Sequence, residues 1–292
     1  MPMADHLLPE VEARLQELEI FRSYKRSKYL SIKHSSYFHV YEELLAKYRG
    51  RTFTFIEIGV LNGGSLFMWR DYFGPAARII GIDVNPDAKK WEKDGFEIFI
   101  GSQSDEKFWD ELFSSIGDVD VVLDDGGHTN EQQIVTTEKC IPHIKDGGLL
   151  IVEDTHASYL TSFGNPSKYS FINYCKTLID SINSRFPSVK ISNNSLNRAV
   201  RSIEVYESIV CLRVDRAKCF ASSLMMNEGL SSNARDFRDH GSKLHASIDF
   251  LRRKLPFLED AGAVGRVAAD IARLMFSVRS KLRSRKLGKY FR

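Results

Sequence analysis

The chain has 292 residues, 43% hydrophobic and 27% charged, enough for one large core with extensions and against disorder throughout. A net charge of +3 is too small to mark a nucleic-acid binder, and the scattered cysteines Cys140, Cys175, Cys211 and Cys219 contain no C-x-x-C pair, against both a disulfide framework and a structural zinc site. The acidic first ten residues lack the basic-then-apolar order of a secretory signal and no stretch reaches membrane-spanning length, so a reducing, cytoplasmic setting is expected.

In chain order, Val11 to Tyr24 has loosely helical spacing and Tyr41 to Tyr48 reads as a second short helix, with Ser31 to Tyr41 between them too polar and aromatic for an ordinary linker. The plain expectation for that segment is a capping loop whose aromatics pack on the core. Strands are then expected at Thr54–Ile58, Arg78–Ile82, Phe96–Ile100, Val119–Leu123 and Leu149–Val152, alternating with helices over Ser65–Tyr72, Asp105–Ser115 and Asn130–Ile144. Apolar, β-rich runs bounded by Gly and Asp indicate a parallel sheet covered on both faces. A helix over Phe171–Asn183 precedes two strands, Ser202–Tyr206 and Ile209–Val214, separated only by Glu207-Ser208, so the last pair is antiparallel. The expected fold is α/β, a doubly wound Rossmann-like sheet of five parallel strands plus a terminal antiparallel hairpin, with N-terminal helices and a helical C-terminal extension. The expected divisions are an N-terminal helical cap over 1–50, a cofactor-binding domain over 51–215 and a basic extension over 216–292. In the last, Lys243–Leu255 and Ala263–Leu282 look helical, and Val267, Ile271, Leu274 and Val278 form an apolar stripe.

Parallel strands bring their C-terminal ends to one rim, where open α/β sheets bind ligands. The first strand leads into Glu57-Ile58-Gly59-Val60-Leu61-Asn62-Gly63-Gly64-Ser65, where glycines let the backbone approach a ligand and the following helix offers free N–H groups. Glu57 ahead of the first glycine suits a cationic or amine-bearing ligand better than a pyrophosphate. Asp83 ends the second strand, where a carboxylate can accept ribose hydroxyls, or simply cap the next segment. Gln103, Ser104 and Asp105 follow the third strand and offer polar groups to an adenine edge, although Asp105 can also cap the next helix. Together these ends describe an adenosine pocket beside an acid, which fits S-adenosylmethionine better than a nicotinamide dinucleotide. The fourth and fifth strands close on Asp124-Asp125-Gly126-Gly127-His128 and Glu153-Asp154-Thr155-His156. Four carboxylates on one rim call for a cation or a proton-transfer task to balance them. Oxygen ligation favours Mg²⁺ or Mn²⁺ over zinc or copper. Of the adjacent pair, Asp125 is favoured for metal and Asp124 for cofactor or architecture. His156 has no assigned role and His143 reads as structural.

These residues, in this order, resemble the class I S-adenosylmethionine-dependent methyltransferases. Within them the chain is similar to the metal-dependent macrolide-sugar O-methyltransferases of the mycinamicin type and the cephalosporin hydroxylase-like family, over roughly Lys33 to Val214. The resemblance implies that Asp125, Glu153 and Asp154 hold a divalent metal and that His128 is the general base. It also aligns the Lys33–Tyr41 segment with a D-K-G-S-x-Y-H-x-Y stretch, in which Ile32-Lys33-His34-Ser35 replaces D-K-G-S. Gly127 likewise stands where Ser is usual in D-D-G-S-H.

The expected activity is O-methylation of a hydroxyl on a sugar or glycoconjugate. The alternatives are a same-fold enzyme with a non-sugar acceptor, cephalosporin hydroxylase-like or catechol-type, and a non-catalytic assembly protein. Tyr159, Phe163 and Tyr169 are candidates for an aromatic wall against the acceptor, or for core packing. The stretch from Arg266 to Arg292 is rich in Arg and Lys with Asp270 its only acid. Its plain reading is an amphipathic lid or dimer element, and its sharper one a peripheral contact with an anionic membrane.

Overall fold

A computed structural model describes residues 9–164, 166–191, 194–230 and 290. The expected C-terminal helices and their apolar stripe lie outside the described residues. The chain divides into two compact units, 1–224 and 225–292, and the sheet belongs to the first.

Seven strands form one sheet in the order β3-β2-β1-β4-β5-β7-β6. They are β1 (Thr54–Ile58), β2 (Arg78–Asp83), β3 (Glu97–Ile100), β4 (Val119–Asp124), β5 (Ile144–Val152), β6 (Val200–Tyr206) and β7 (Ile209–Val214). The first five pair in parallel, β7 runs antiparallel to β5, and β6 closes the edge as a hairpin on β7 through Glu207-Ser208. Strand order reverses between β1 and β4, whose ends meet in the register Ile58 against Asp124. That switch point is where two connections leave in opposite directions and open a crevice.

Alternation along the central strands supplies two cores, because successive side chains face opposite sides of a sheet. Phe55, Val121, Leu123 and Ile151 pack on one face with helices α1 (Pro9–Gln16), α2 (Glu19–Arg26), α3 (Tyr37–Leu45) and α4 (Gly64–Phe73). Ile56, Val122, Leu150 and Val152 pack on the other with α5 (Glu106–Ile116), α6 (Asn130–Cys140) and α7 (Phe171–Asn183). Leu15, Ile20, Tyr37 and Leu44 share the first core with the strands, so the helices of the first fifty residues are continuous with the sheet's packing.

Local chemistry explains the boundaries. Asp105 caps α5 by accepting the Lys107 N–H, Thr129 and Gln132 close a capping box on α6, and Ser170 caps α7. Three expectations need correction. The first helix is two, broken at Glu17-Leu18, with the Ile20 N–H at the new start bonded to the Glu42 carboxylate. The aromatic segment forms a helix from Tyr37, because Tyr37, Phe38, Val40 and Tyr41 all bury against the sheet side of α3. Residues 86–94, to which no element was assigned, form a 3₁₀ helix that seats Trp91 in the core under an Asn85 cap.

Candidate active site

The rim holds a cavity of about 420 Å³ at the switch point, within the usual size of a small-molecule site. Gly59 and Ser65 from the glycine-rich turn, Asp83, Gln103, Asp125, His128 and Asp154 all line it, and Leu30, Ser31 and Ile32 close it from the N-terminal segment.

The glycines are required by contact. At Gly59, φ is +92° and a Cβ would lie 2.1 Å from the Asp125 carbonyl oxygen, so only a bare backbone lets the β1 and β4 turns meet. At Gly63, φ is +78° and a Cβ would strike the Trp91 ring. Asp83 braces the same turn: one carboxylate oxygen accepts the N–H groups of Val60 and Leu61 at 2.9 Å, the other that of Asn85. A carboxylate accepts about four hydrogen bonds, so Asp83 retains acceptor capacity toward the cavity.

Gln103 is buried and ties three elements together. Its amide donates to Asp124 Oδ1 and Thr136 Oγ1, and its oxygen accepts from the Gly127 N–H. Asp124 is buried with Oδ2 lacking a hydrogen-bond partner, and burial pushes its carboxyl up to about 6. Asp124 is therefore architectural in its contacts. Glu57 lies behind the cavity wall, where its two oxygens accept from Ser65 Oγ and Trp69 Nε1. Burial raises it to about 7, so the expected acid facing the ligand is instead a buried acceptor beneath it. Ser104 and Asp105 do not line the cavity either: Asp105 is exposed and spent on capping α5, and Ser104 bonds back to Ser102.

The acidic strand ends separate into two groups. Ligand atoms of Asp125, His128 and Asp154 lie within 4.8 Å of one another. Nε2 of His128 is 3.3 Å from Asp154 Oδ2, while its Nδ1 is buried without a hydrogen-bond partner. Two carboxylates and one imidazole converging on a cavity, with a ring nitrogen unsatisfied, suit a divalent cation. Glu153 stands outside this group. It is wholly buried and holds Lys33 Nζ at 3.0 Å and Tyr41 OH at 2.5 Å, while the same ammonium lies 2.6 Å from Asp125. Burial works to lower Lys33, but the facing carboxylates of Asp125, Glu153 and Glu57 more than reverse it and raise it above the ordinary lysine value. Burial, reinforced by Asp125, pushes Glu153 upward. The three carboxylates expected to share one metal are thus divided by a lysine: an ion entering between Asp125 and Glu153 must displace the ammonium, whereas one between Asp125 and Asp154 need not.

Lys33, Tyr37 and Tyr41 are rim residues to which sequence reasoning gave no role. Tyr37 OH lies 2.5 Å from Asp154 Oδ1 and 2.8 Å from Ser208 Oγ, linking α3 to β5 and to the hairpin turn. Their local signals are the spacing, Lys33 and then tyrosines four and eight residues on, and the likeness of the segment to a D-K-G-S-x-Y-H-x-Y stretch. Tyr159 and Tyr169 stand exposed and Phe163 half-exposed. They are free of the core, and none lines the cavity. His143 stacks on Phe113 at 4.2 Å, away from the rim, consistent with a structural part.

Comparison with known proteins follows the same outline. Residues 56–155 match the family described as "Methyltransferase domain". The mycinamicin VI 2''-O-methyltransferase of Micromonospora griseorubida is 30% identical over 190 residues, covering 60% of this chain and 47% of that protein. A tetracenomycin rhamnosyl 2'-O-methyltransferase of Streptomyces olivaceus is 29% identical over 177 residues, covering 54% and 46%. The chain therefore spans about half the length of these curated relatives. Among solved structures, the MycE methyltransferase of the mycinamycin biosynthetic pathway, in complex with Mg, SAH and mycinamycin VI, superposes with a TM-score of 0.60 at 26% identity, over 79% of this chain and 58% of that one. With its strand order, its glycine-rich turn and the matched domain, the chain carries a methyltransferase domain over residues 56–155 and is similar to sugar O-methyltransferases.

Proposed function

We propose that the chain is an S-adenosylmethionine-dependent, divalent-metal-assisted O-methyltransferase whose acceptor is a hydroxyl of a glycosylated small molecule. The observation that carries this reading is the cavity itself, lined both by the glycine turn braced by Asp83 and by the Asp125–His128–Asp154 group. The glycine turn suits a nucleoside, with Gly59 baring the backbone at the cavity and Asp83 retaining lone pairs for hydroxyls. A divalent ion held by Asp125 and Asp154 would supply Lewis acidity toward the acceptor oxygen. His128 is the proposed proton acceptor, with the Asp154 carboxylate 3.3 Å from its Nε2 to stabilise the imidazolium that forms. Gln103 and Asp124 hold the turn that presents His128, and Tyr37 holds Asp154. Since the transferred methyl carbon is activated on the sulfonium, what remains for the protein is orientation and removal of one proton.

The test is transfer of label from methyl-labelled S-adenosylmethionine to a panel of glycosides with free hydroxyls, in Mg²⁺. Transfer to a sugar hydroxyl that falls at least about 100-fold in Asp125→Ala is expected. No transfer to any glycoside, or an Asp125→Ala rate equal to the parent's, would sink the reading. For the basic segment 263–292 we propose a peripheral contact with an anionic membrane, supported by its charge pattern. Flotation with anionic vesicles should be lost when 263–292 is deleted, and unchanged flotation contradicts it. Among the described residues no helix is long and apolar enough to cross a membrane.

A further inference from the structure

Asp154 has two faces. Its Oδ2 looks toward His128, while its Oδ1 lies 3.8 Å from His34 Nε2 and 3.8 Å from His156 Nδ1. Ligand atoms of His34, Asp154 and His156 fall within 4.8 Å of one another, as a set separate from Asp125, His128 and Asp154. We propose that His34, Asp154 and His156 form a second cation site at the mouth of the rim, selective for a borderline divalent transition ion such as Zn²⁺ or Co²⁺, with the Asp154 carboxylate shared between the two sites.

The donor types set the ion class. Two imidazoles and one carboxylate favour nitrogen-preferring transition ions, whereas the neighbouring set, with two carboxylates, favours harder ions. The two imidazole rings stand 5.8 Å apart and nearly perpendicular, so neither covers the other. Both are exposed, His34 at 65% and His156 at 47%, which gives them freedom to close the last ångström onto an ion and leaves space for water ligands.

Backbone strain provides an independent observation. Among the described residues, the non-glycine positions with positive φ are Leu61, His128, Asp154 and Ser208. Three of them converge on this point. Asp154 is held at φ +54° with its Oδ1 and its N–H both against Tyr37 OH, and Ser208, at φ +60°, places its Oγ 2.6 Å from His156 Nδ1. Left-handed conformations of non-glycine residues persist where surrounding contacts enforce them, and they concentrate at functional sites. Here they aim one carboxylate at two clusters and fix one histidine beside it; Ser208 Oγ holds His156 at Nδ1, the nitrogen that faces Asp154, so an ion bound there takes the place of that hydrogen bond. His34 and His156 are also the rim histidines to which the methyl-transfer reading gives no task.

The inference does not depend on methyl transfer, because its test uses neither S-adenosylmethionine nor an acceptor. The full chain, saturated with Mg²⁺, is titrated with Co²⁺ and followed by visible absorption and by equilibrium dialysis with metal analysis. One equivalent of Co²⁺ with d–d absorption is expected beyond the Mg²⁺-loaded state. His34→Gln and His156→Gln should each weaken it by about tenfold or more, and His143→Gln, at a paired histidine far from the rim, should leave it unchanged. Circular dichroism confirms that each variant is folded. No Co²⁺ uptake by the Mg²⁺-saturated chain, or the same uptake in the His34→Gln/His156→Gln double variant, overturns the proposal.

Discussion

The Lys33 side chain is 1% exposed and sits between Asp125 and Glu153. Removing one member of a buried, hydrogen-bonded charge set leaves its partners uncompensated, at a cost of about 3–5 kcal/mol. Lys33→Met should therefore lose stability of that order in urea unfolding. Mg²⁺ should raise the melting temperature of the variant more than that of the parent, since an ion can then also enter between Asp125 and Glu153, where the ammonium stood. Equal shifts in the two proteins would show that this position takes no ion. Asp124 gives a second prediction, with a definite sign. Its folded value of about 6 lies above the ordinary 3.8, so the folded state keeps a proton that the unfolded chain releases between about pH 4 and 6. Stability is thus lost as pH rises through that window. Asp124→Asn cannot ionise and retains an oxygen for the Gln103 and Gly126 donors. It should match the parent at pH 4 and exceed it by on the order of 2–3 kcal/mol at pH 7. Chemical denaturation at the two pH values reads this directly, and a variant less stable at both contradicts it.

At the scale of elements, the β1–α4 turn and the β4 turn are one unit, since Gly59 touches the Asp125 carbonyl. Gly59→Ala forces a side chain into that contact at φ +92°, at a cost of on the order of 2–3 kcal/mol or more. It should also abolish ligand binding in the cavity even where the protein remains folded, as a thermal melt with and without S-adenosylhomocysteine would show. A ligand-induced shift as large as the parent's would mean that the turn does not shape the site. The parallel strands were legible in the sequence because burial on both faces makes each an apolar run ended by Gly, Asp or Glu; β1 matches its expected bounds, as does the antiparallel β7. The α3 start was missed although Tyr37, Phe38, Tyr41, Leu44 and Leu45 recur at helical spacing, because the polar run Ser31–Ser36 ahead of it reads as a loop. Its order comes from tertiary contact, with Tyr37 and Tyr41 reaching carboxylates on β5's end. The same reason hides Lys33, whose partners lie 92 and 120 residues away in the chain. Glu57 and Asp105 were legible as residues at strand ends but not in their direction, since β1 turns Glu57 toward Trp69 and α5 takes Asp105 as a cap.

For the whole molecule, the sheet's switch point, the N-terminal segment that closes it and the matched methyltransferase domain fall in the same unit. The central claim is that this unit binds S-adenosylmethionine at the rim beside a divalent ion. Isothermal calorimetry of the full chain with S-adenosylmethionine, with and without Mg²⁺, tests it most directly. The account predicts saturable binding of one cofactor per chain, together with a separate Mg²⁺ heat that Asp125→Ala removes. A folded protein showing no saturable S-adenosylmethionine binding under either condition would contradict it.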